Sequence, residues 1–221
     1  MPVYYAVIGD LIRSKSIQDR GKAQDVLEEV IASINARYHN DLASKFTITL
    51  GDEFQGVLKH PAHLFQLLDD LEIQLMDYPC RFGIGCGTIA TRLNPEISLG
   101  ADGEAYWRAR QALNEVHENH DYEMTRTRLI SASSADVTRN DLLSLSDAIK
   151  RRWSDLQRST FKALLEQGIY RDQFDQKQFA QTLGISPETL YKRLKNSSIK
   201  TYLRSRSNLQ QTMEAEYESQ R

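Results

Sequence analysis

Cysteine is nearly missing from this 221-residue chain: it has only Cys80 and Cys86, and no Cys-x-x-Cys. Both fall on one expected strand, where they are poorly placed to pair, so the expectation is a reduced, cytoplasmic protein rather than a disulfide-stapled one. Long apolar runs are missing too. No stretch approaches the roughly 20 residues needed to cross a bilayer, so no membrane insertion is expected. The N-terminus, MPVYYAVIGD, lacks a basic region followed by a long apolar core, which argues against a secretion signal. There is no internal repeat, no low-complexity linker and no glycine fingerprint turning into a helix to hold a dinucleotide. His60-x-x-His63 and His117-x-x-His120 have a spacing that can seed zinc, but no cysteine or third histidine lies near in sequence, so zinc is not expected.

What is present is ordinary in bulk and uneven in distribution. Hydrophobic residues make up 40% and charged residues 26%, as in common globular proteins, and the net charge is −2. From Ala148 to Arg221 there are 14 Lys and Arg against 8 Asp and Glu, a net of +6; the first 147 residues hold the remaining 14 basic and 22 acidic residues, a net of −8. An acidic front and a basic back suggest two units, the second suited to a polyanion; a solvated charged helix face is the plainer explanation.

Hydrophobic periodicity outlines the front unit. VYYAVIG, ending at Gly9-Asp10, reads as a buried strand. Ala23, Val26, Leu27, Val30, Ile31 and Ile34 form a helical stripe. KFTITL alternates with period two, and EFQGVL follows after Gly51-Asp52, which makes a hairpin. A second stripe runs through Leu64, Leu67, Leu68, Leu71 and Leu75, followed by strand RFGIGCGTIA, a helix from Ala101 to His117, and strand TRLISAS. The order β-α-β-β-α-β-α-β predicts an α+β fold, a ferredoxin-like βαββαβ core with one added helix and strand; such a sheet has helices on one face and can leave the other open. Gly83, Gly85 and Gly87 alternate along a strand and are read as room for a packed helix. The small, polar stretch 131–140 is the best boundary, giving a front domain of residues 1–135 and a helical domain of residues 136–221.

The back unit carries the sharpest local pattern. WSDLQRSTFKALLEQG reads as a helix closed by Gly168. DQKQFAQTLGISPETLYKRLKNS follows as a helix-turn-helix: Phe179, Ala180 and Leu183 on the first helix, Gly184 at the turn, Ile185 plugging the angle, Ser186 capping the second helix and Pro187 at its first position. Leu190 and Leu194 face inward, which leaves Thr189, Tyr191, Lys192 and Lys195 outside the seam, a set suited to a major groove. Arg193 joins them as a candidate contact to base or phosphate, and Lys200 and Arg204 on the next helix are candidate phosphate contacts. The chain is expected to end as a frayed acidic tail.

In the expected topology the end of the first strand and the tip of the central hairpin lie side by side, which brings Asp10 near Asp52. Two carboxylates there can share Mg²⁺ or Mn²⁺, and the ion can in turn hold a nucleotide's phosphates. Backbone N–H groups of the loop opening at Leu11 can meet phosphate oxygens, and Gly51 lets a ligand approach the turn closely. The plainer reading of Asp10 and Asp52 is ordinary turn chemistry.

AVIGDLIRSKSI, TITLGDEFQGVL, RFGIGCGTI and GADGEAYWRARQAL occur in the order seen in class III nucleotide cyclases and diguanylate cyclase domains. The second piece resembles the GGDEF hairpin with its first glycine replaced by Leu50. The whole chain, palm-like domain plus helix-turn-helix, resembles the SatD family of bacterial proteins. The resemblance to cyclases implies metal binding by Asp10 and Asp52, nucleotide contact by Leu11 and Gly51, and a phosphate-stabilising role for Arg110, catalytic only if the protein is an enzyme. Tyr106 stands where cyclases usually carry a ribose-orienting asparagine, and FTITL has no purine-reading lysine. The expectation is a homodimeric DNA-binding regulator that binds a metal and a nucleotide without turnover. Two alternatives stand beside it: an active cyclase or nucleotidyltransferase, and a front domain that only dimerises.

Overall fold

The computed structural model of the protein describes residues 2–118 and 124–219. Five strands form one sheet: β1 (Tyr4–Leu11), β2 (Leu42–Leu50), β3 (Glu53–Leu58), β4 (Cys80–Gly87) and β5 (Thr127–Ile130). Its order is β2-β3-β1-β4-β5. β1 pairs antiparallel with both β3 and β4, β2 pairs antiparallel with β3, and β5 lies parallel to β4. Helices α1 (Arg20–Arg37), α2 (Leu64–Gln74) and α3 (Glu104–His117) connect the strands in the order the periodicity predicts. The result is an α+β fold with a mixed sheet and, among the described residues, eight α-helices.

Alternation along β1 decides which helix lies where. Tyr5, Val7 and Leu11 point to one face, where they meet α1 through Leu27, Ile31 and Ile34 and α2 through Leu64, Phe65, Leu68 and Leu71. Ala6 and Ile8 point to the other, against Ala105, Tyr106, Ala109 and Leu113 of α3. The second face, which such a core can leave open, is covered here by α3. The glycines explain how closely: a Cβ on Gly83 would lie 2.1 Å from the Ala109 carbonyl oxygen, and one on Gly85 2.0 Å from that of Ala105. The backbone of α3 rests directly on β4, a packing role the alternating glycines had suggested. Residues 88–103 add cover over β2 and β3: Gln55 Nε2 donates to the Ser98 carbonyl at 2.7 Å, and Lys45 N to Pro95 O at 2.9 Å.

The remaining helices are α4 (Asp136–Lys150), α5 (Asp155–Glu166), α6 (Gln176–Thr182), α7 (Pro187–Ser197) and α8 (Ile199–Ser219). α4 starts inside the stretch read as a boundary, where Ser131 donates through both N and Oγ to the carboxylate of Asp136, the first residue of the helix, at 2.6 Å. α4 then follows β5, where Asn140 bonds both the N–H and the C=O of Leu129 at 2.8 Å. The described part of the acidic C-terminal stretch is not frayed. α8 runs to Ser219, and its Leu209 and Met213 are buried in the sheet core, with the Tyr217 ring 6.2 Å from that of Tyr5. A second core joins Trp153, Phe161, Phe179, Leu190, Leu194 and Tyr202, and Ile73 of α2 belongs to it.

Candidate functional site

The hairpin tip and the end of β1 meet as topology demands. Asp10 faces Glu53 in the β1–β3 register, and Leu11 N donates to Asp52 O at 3.1 Å. That bond uses the N–H expected to face phosphate; the next, Ile12 N, donates to Pro79 O at 2.7 Å. Gly51 has φ +64, the left-handed turn geometry that favours glycine, and a Cβ there would meet nothing within 4 Å. Leu11, Gly51 and Asp52 line one cavity of 340 Å³, together with Ser14, Ile17, Arg20 and Gly21 at the start of α1.

Asp10 takes a different partner. Arg81 Nε donates to its Oδ1 at 2.6 Å, and both side chains are largely buried. Burial pushes the Asp10 carboxyl above its ordinary range; the hydrogen bond and charge of Arg81 pull it back only partway, and the nearby charge of Asp52 adds to the rise. The two carboxylates are thus close enough to sense each other, but one is held by a guanidinium. Among the described residues no group of three or more His, Cys, Asp or Glu could hold a metal ion. Two carboxylates suit a Mg²⁺ that keeps water and phosphate ligands, provided Arg81 yields part of its hold on Asp10.

Arg110 lies elsewhere. Its guanidinium grips Glu53 in a two-pronged ion pair at 2.5 and 2.7 Å, which holds the Glu53 carboxyl below its ordinary range. It lines a 640 Å³ cavity on the α3 side with Ile8, Gln55 and Tyr106, not the one at Asp52. Tyr106 is buried, its hydroxyl donating to Ser98 O at 3.3 Å, and burial raises its pKa to about 12. Trp107 is 60% exposed, with its indole N–H on Asp102 at 2.6 Å. His60 and His63 flank the Asp41 carboxylate at 3.7 and 2.9 Å, and His120 lies outside the described residues.

α6 and α7 are joined through Gly184, whose φ is +64. Ser186 caps α7 by accepting from Thr189 N at 3.2 Å, and Pro187 occupies its first turn. Leu190 and Leu194 are buried; Thr189, Tyr191 (59% exposed), Lys192 and Lys195 stand outward together, and Arg193 is half-buried. Lys200 is half-buried at the start of α8, and Arg204 lines a 730 Å³ groove against α4 with Leu142, Leu145 and Ile149.

One cluster had no sequence signal. Asp69 of α2, 1% exposed, accepts from Lys150 Nζ at 2.8 Å, Tyr202 OH at 2.5 Å and Tyr170 OH at 2.5 Å. Lys150 also pairs with Glu72. Arg206 Nε donates to Tyr202 OH at 3.0 Å and its Nη2 to Asp147 at 3.2 Å, while Asp147 accepts from Arg126 N and Thr127 N at 2.8 and 2.9 Å. Burial alone would raise the Asp69 carboxyl; Lys150 and Arg206 overcome this and hold it below its ordinary value. At Asp147 burial outweighs the same cations and the carboxyl is raised. The network ties α2 beneath the sheet to α4 and α8. Its residues come from α2, α4, α8 and the segment between α5 and α6, at no telling spacing, so only the fold brings them together.

These features define an α+β protein whose sheet is joined to a set of helices through a buried ionic network. Residues 4–213 match the SatD family, and the chain belongs to that family. A comparison with curated proteins gave no match.

Proposed function

We propose that this SatD-family protein is a DNA-binding regulator whose sheet-bearing part binds a divalent metal and a nucleotide without turnover. The observation that carries the reading is the outward face of α7, where Thr189, Tyr191, Lys192 and Lys195 stand exposed above a buried Leu190–Leu194 seam. Hydrogen-bonding and cationic side chains on a capped helix, presented by a tight turn, suit a major groove. The α6–α7 geometry supports the helix-turn-helix reading. The strand order β2-β3-β1-β4, antiparallel at each neighbour, supports a ferredoxin-like, cyclase-like palm.

Asp10 and Asp52 would hold Mg²⁺ or Mn²⁺, with the nucleotide in the cavity at Leu11 and Gly51. Arg110 is engaged by Glu53 and lines another cavity, which favours binding over catalysis. A homodimer would present two α7 helices about one helical turn of DNA apart. Fluorescence anisotropy with duplex DNA tests the reading: affinity should fall steeply between 50 and 200 mM salt, as counterion release requires. An affinity indifferent to salt overturns it.

A further inference from the structure

Helices α4 and α8 lie side by side and run in opposite directions. Arg139 meets Glu216, Asp147 meets Arg206, and Trp153, just after α4, donates its indole N–H to Ser197 O, just before α8. The 730 Å³ groove runs between them, with Leu142, Leu145 and Ile149 on the α4 side and Thr201, Arg204 and Asn208 on the α8 side. The opposed directions give the groove a polarity. Arg152, at the exit of α4, falls at the same end as Thr201 and Arg204 in the opening turns of α8, while Leu142 and Leu145 fall at the other end, toward Asn208. Leu142 and Ile149 are seven positions apart, about 10 Å along the helix axis. Leu145 is 63% exposed, an apolar side chain held in water. Arg152 is exposed and, among the described residues, has no carboxylate at ion-pair distance; Arg204 is exposed with Asp172 at 3.8 Å, a loose pair.

We infer that this groove binds a medium-chain fatty acid, its carboxylate between Arg152 and Arg204 and its chain along Leu142, Leu145 and Ile149. Guanidinium forks match a carboxylate two oxygens at a time, and an unbranched tail leaves water when it covers the leucines. Cations at one end and an apolar wall at the other suit one charged head on one apolar chain; an acidic peptide would call for cations spread along the groove. The volume lies within the range of a few hundred to about 1,000 Å³ usual for small-ligand sites. The site uses neither the Asp10–Asp52 pair nor the outer face of α7, so it goes beyond the proposed function; of the residues expected to meet DNA, Arg204 alone belongs to it.

The test is isothermal titration of the full chain with sodium octanoate below its micelle concentration at constant ionic strength, without DNA or metal. Acetate, the head without the tail, and 1-octanol, the tail without the charge, are the controls. The expected result is one saturable octanoate site that acetate does not fill and that octanol fills about tenfold more weakly, the loss of a charge-assisted contact. Arg152→Gln should weaken octanoate about tenfold and leave octanol unchanged. Leu145→Asp should abolish binding of both, whereas Leu156→Asp, which changes an equally exposed leucine of α5 outside the groove, should leave both unchanged. These side chains are exposed, and thermal melts check that each variant is folded. Absence of octanoate binding overturns the inference, and so does octanol binding as tightly as octanoate. Octanoate binding that survives Leu145→Asp, or that Leu156→Asp reduces equally, overturns it as adsorption to exposed leucines. If octanoate does not bind and Leu145→Asp instead turns a dimer into a monomer in sedimentation velocity, the groove is an interface between copies of this chain and the inference falls.

Discussion

Asp10 and Arg81 stand opposite one another in the antiparallel β1–β4 register, joined by a 2.6 Å hydrogen bond. The pair does not stabilise the ionised carboxylate fully. Burial still outweighs Arg81, and the Asp10 pKa stays raised.

A raised folded pKa has a definite sign in stability. The favourable contribution is present below the unfolded value and is lost as pH rises through the folded one. Asp10→Asn, which keeps an acceptor for Arg81, should therefore melt at the same or a higher temperature than the parent at pH 7. Melting curves from pH 4 to 7 check this; a large drop at neutral pH would show that the ion pair stabilises the fold.

Arg81 competes with any metal for Asp10. Under the proposed function, Arg81→Gln should tighten Mg²⁺ binding by about tenfold, the worth of one charged hydrogen bond. Thermal-shift titration with Mg²⁺ reads it directly, since a ligand of the native state raises its melting point. A metal response that is unchanged, or still present in Asp10→Asn plus Asp52→Asn, counts against the two-carboxylate site.

The Asp69 cluster predicts a large loss. Asp69→Ala leaves Lys150 and the Tyr170 and Tyr202 hydroxyls without their shared acceptor and should cost about 3–5 kcal/mol in urea unfolding. Its folded pKa is lowered, so the contribution is present above the unfolded value and disappears as pH falls through the depressed one. The parent should lose stability below about pH 4, where free aspartate begins to take up protons, and Asp69→Asn should show a shallower acid limb.

Gly85→Ala tests the closeness of α3 to β4. With the Ala105 oxygen 2.0 Å from the added carbon and Ala109 N at 2.3 Å, the helix must lift off the sheet. A cost of about 3 kcal/mol is expected, at the upper end for overpacking. An unchanged midpoint would mean α3 shifts freely.

On α7, Lys192→Ala and Lys195→Ala should each weaken DNA binding across sequences and lower the slope of log affinity against log salt by roughly one unit. Arg206→Met should instead lower stability and leave the slope alone, because Arg206 is buried against Asp147 and Tyr202. Anisotropy at four salt concentrations separates the two effects.

Much of this was legible in the chain because it is local. Period-two and period-3.6 patterns marked the five strands and α1 to α3 in order; Ser186 and Pro187 marked the start of α7; and the alternating glycines marked the bed of a helix. Cys80 and Cys86 do share β4, buried and unpaired. The net charge misled in part. Lys150 and Arg206 count toward the basic excess of the C-terminal stretch, yet both are buried against Asp69, Glu72 and Asp147.

By itself the sequence determined the elements, their order and the faces they need to bury, because neighbouring residues already carry that information in their spacing. Only the tertiary structure decided which cation each carboxylate meets, that α3 closes the second face of the sheet, and that α8 returns to the core. Asp69 and Tyr202 lie 133 positions apart. No local rule joins such residues; the hydrophobic cores that bring their helices together do, and burial then makes the pairing strong.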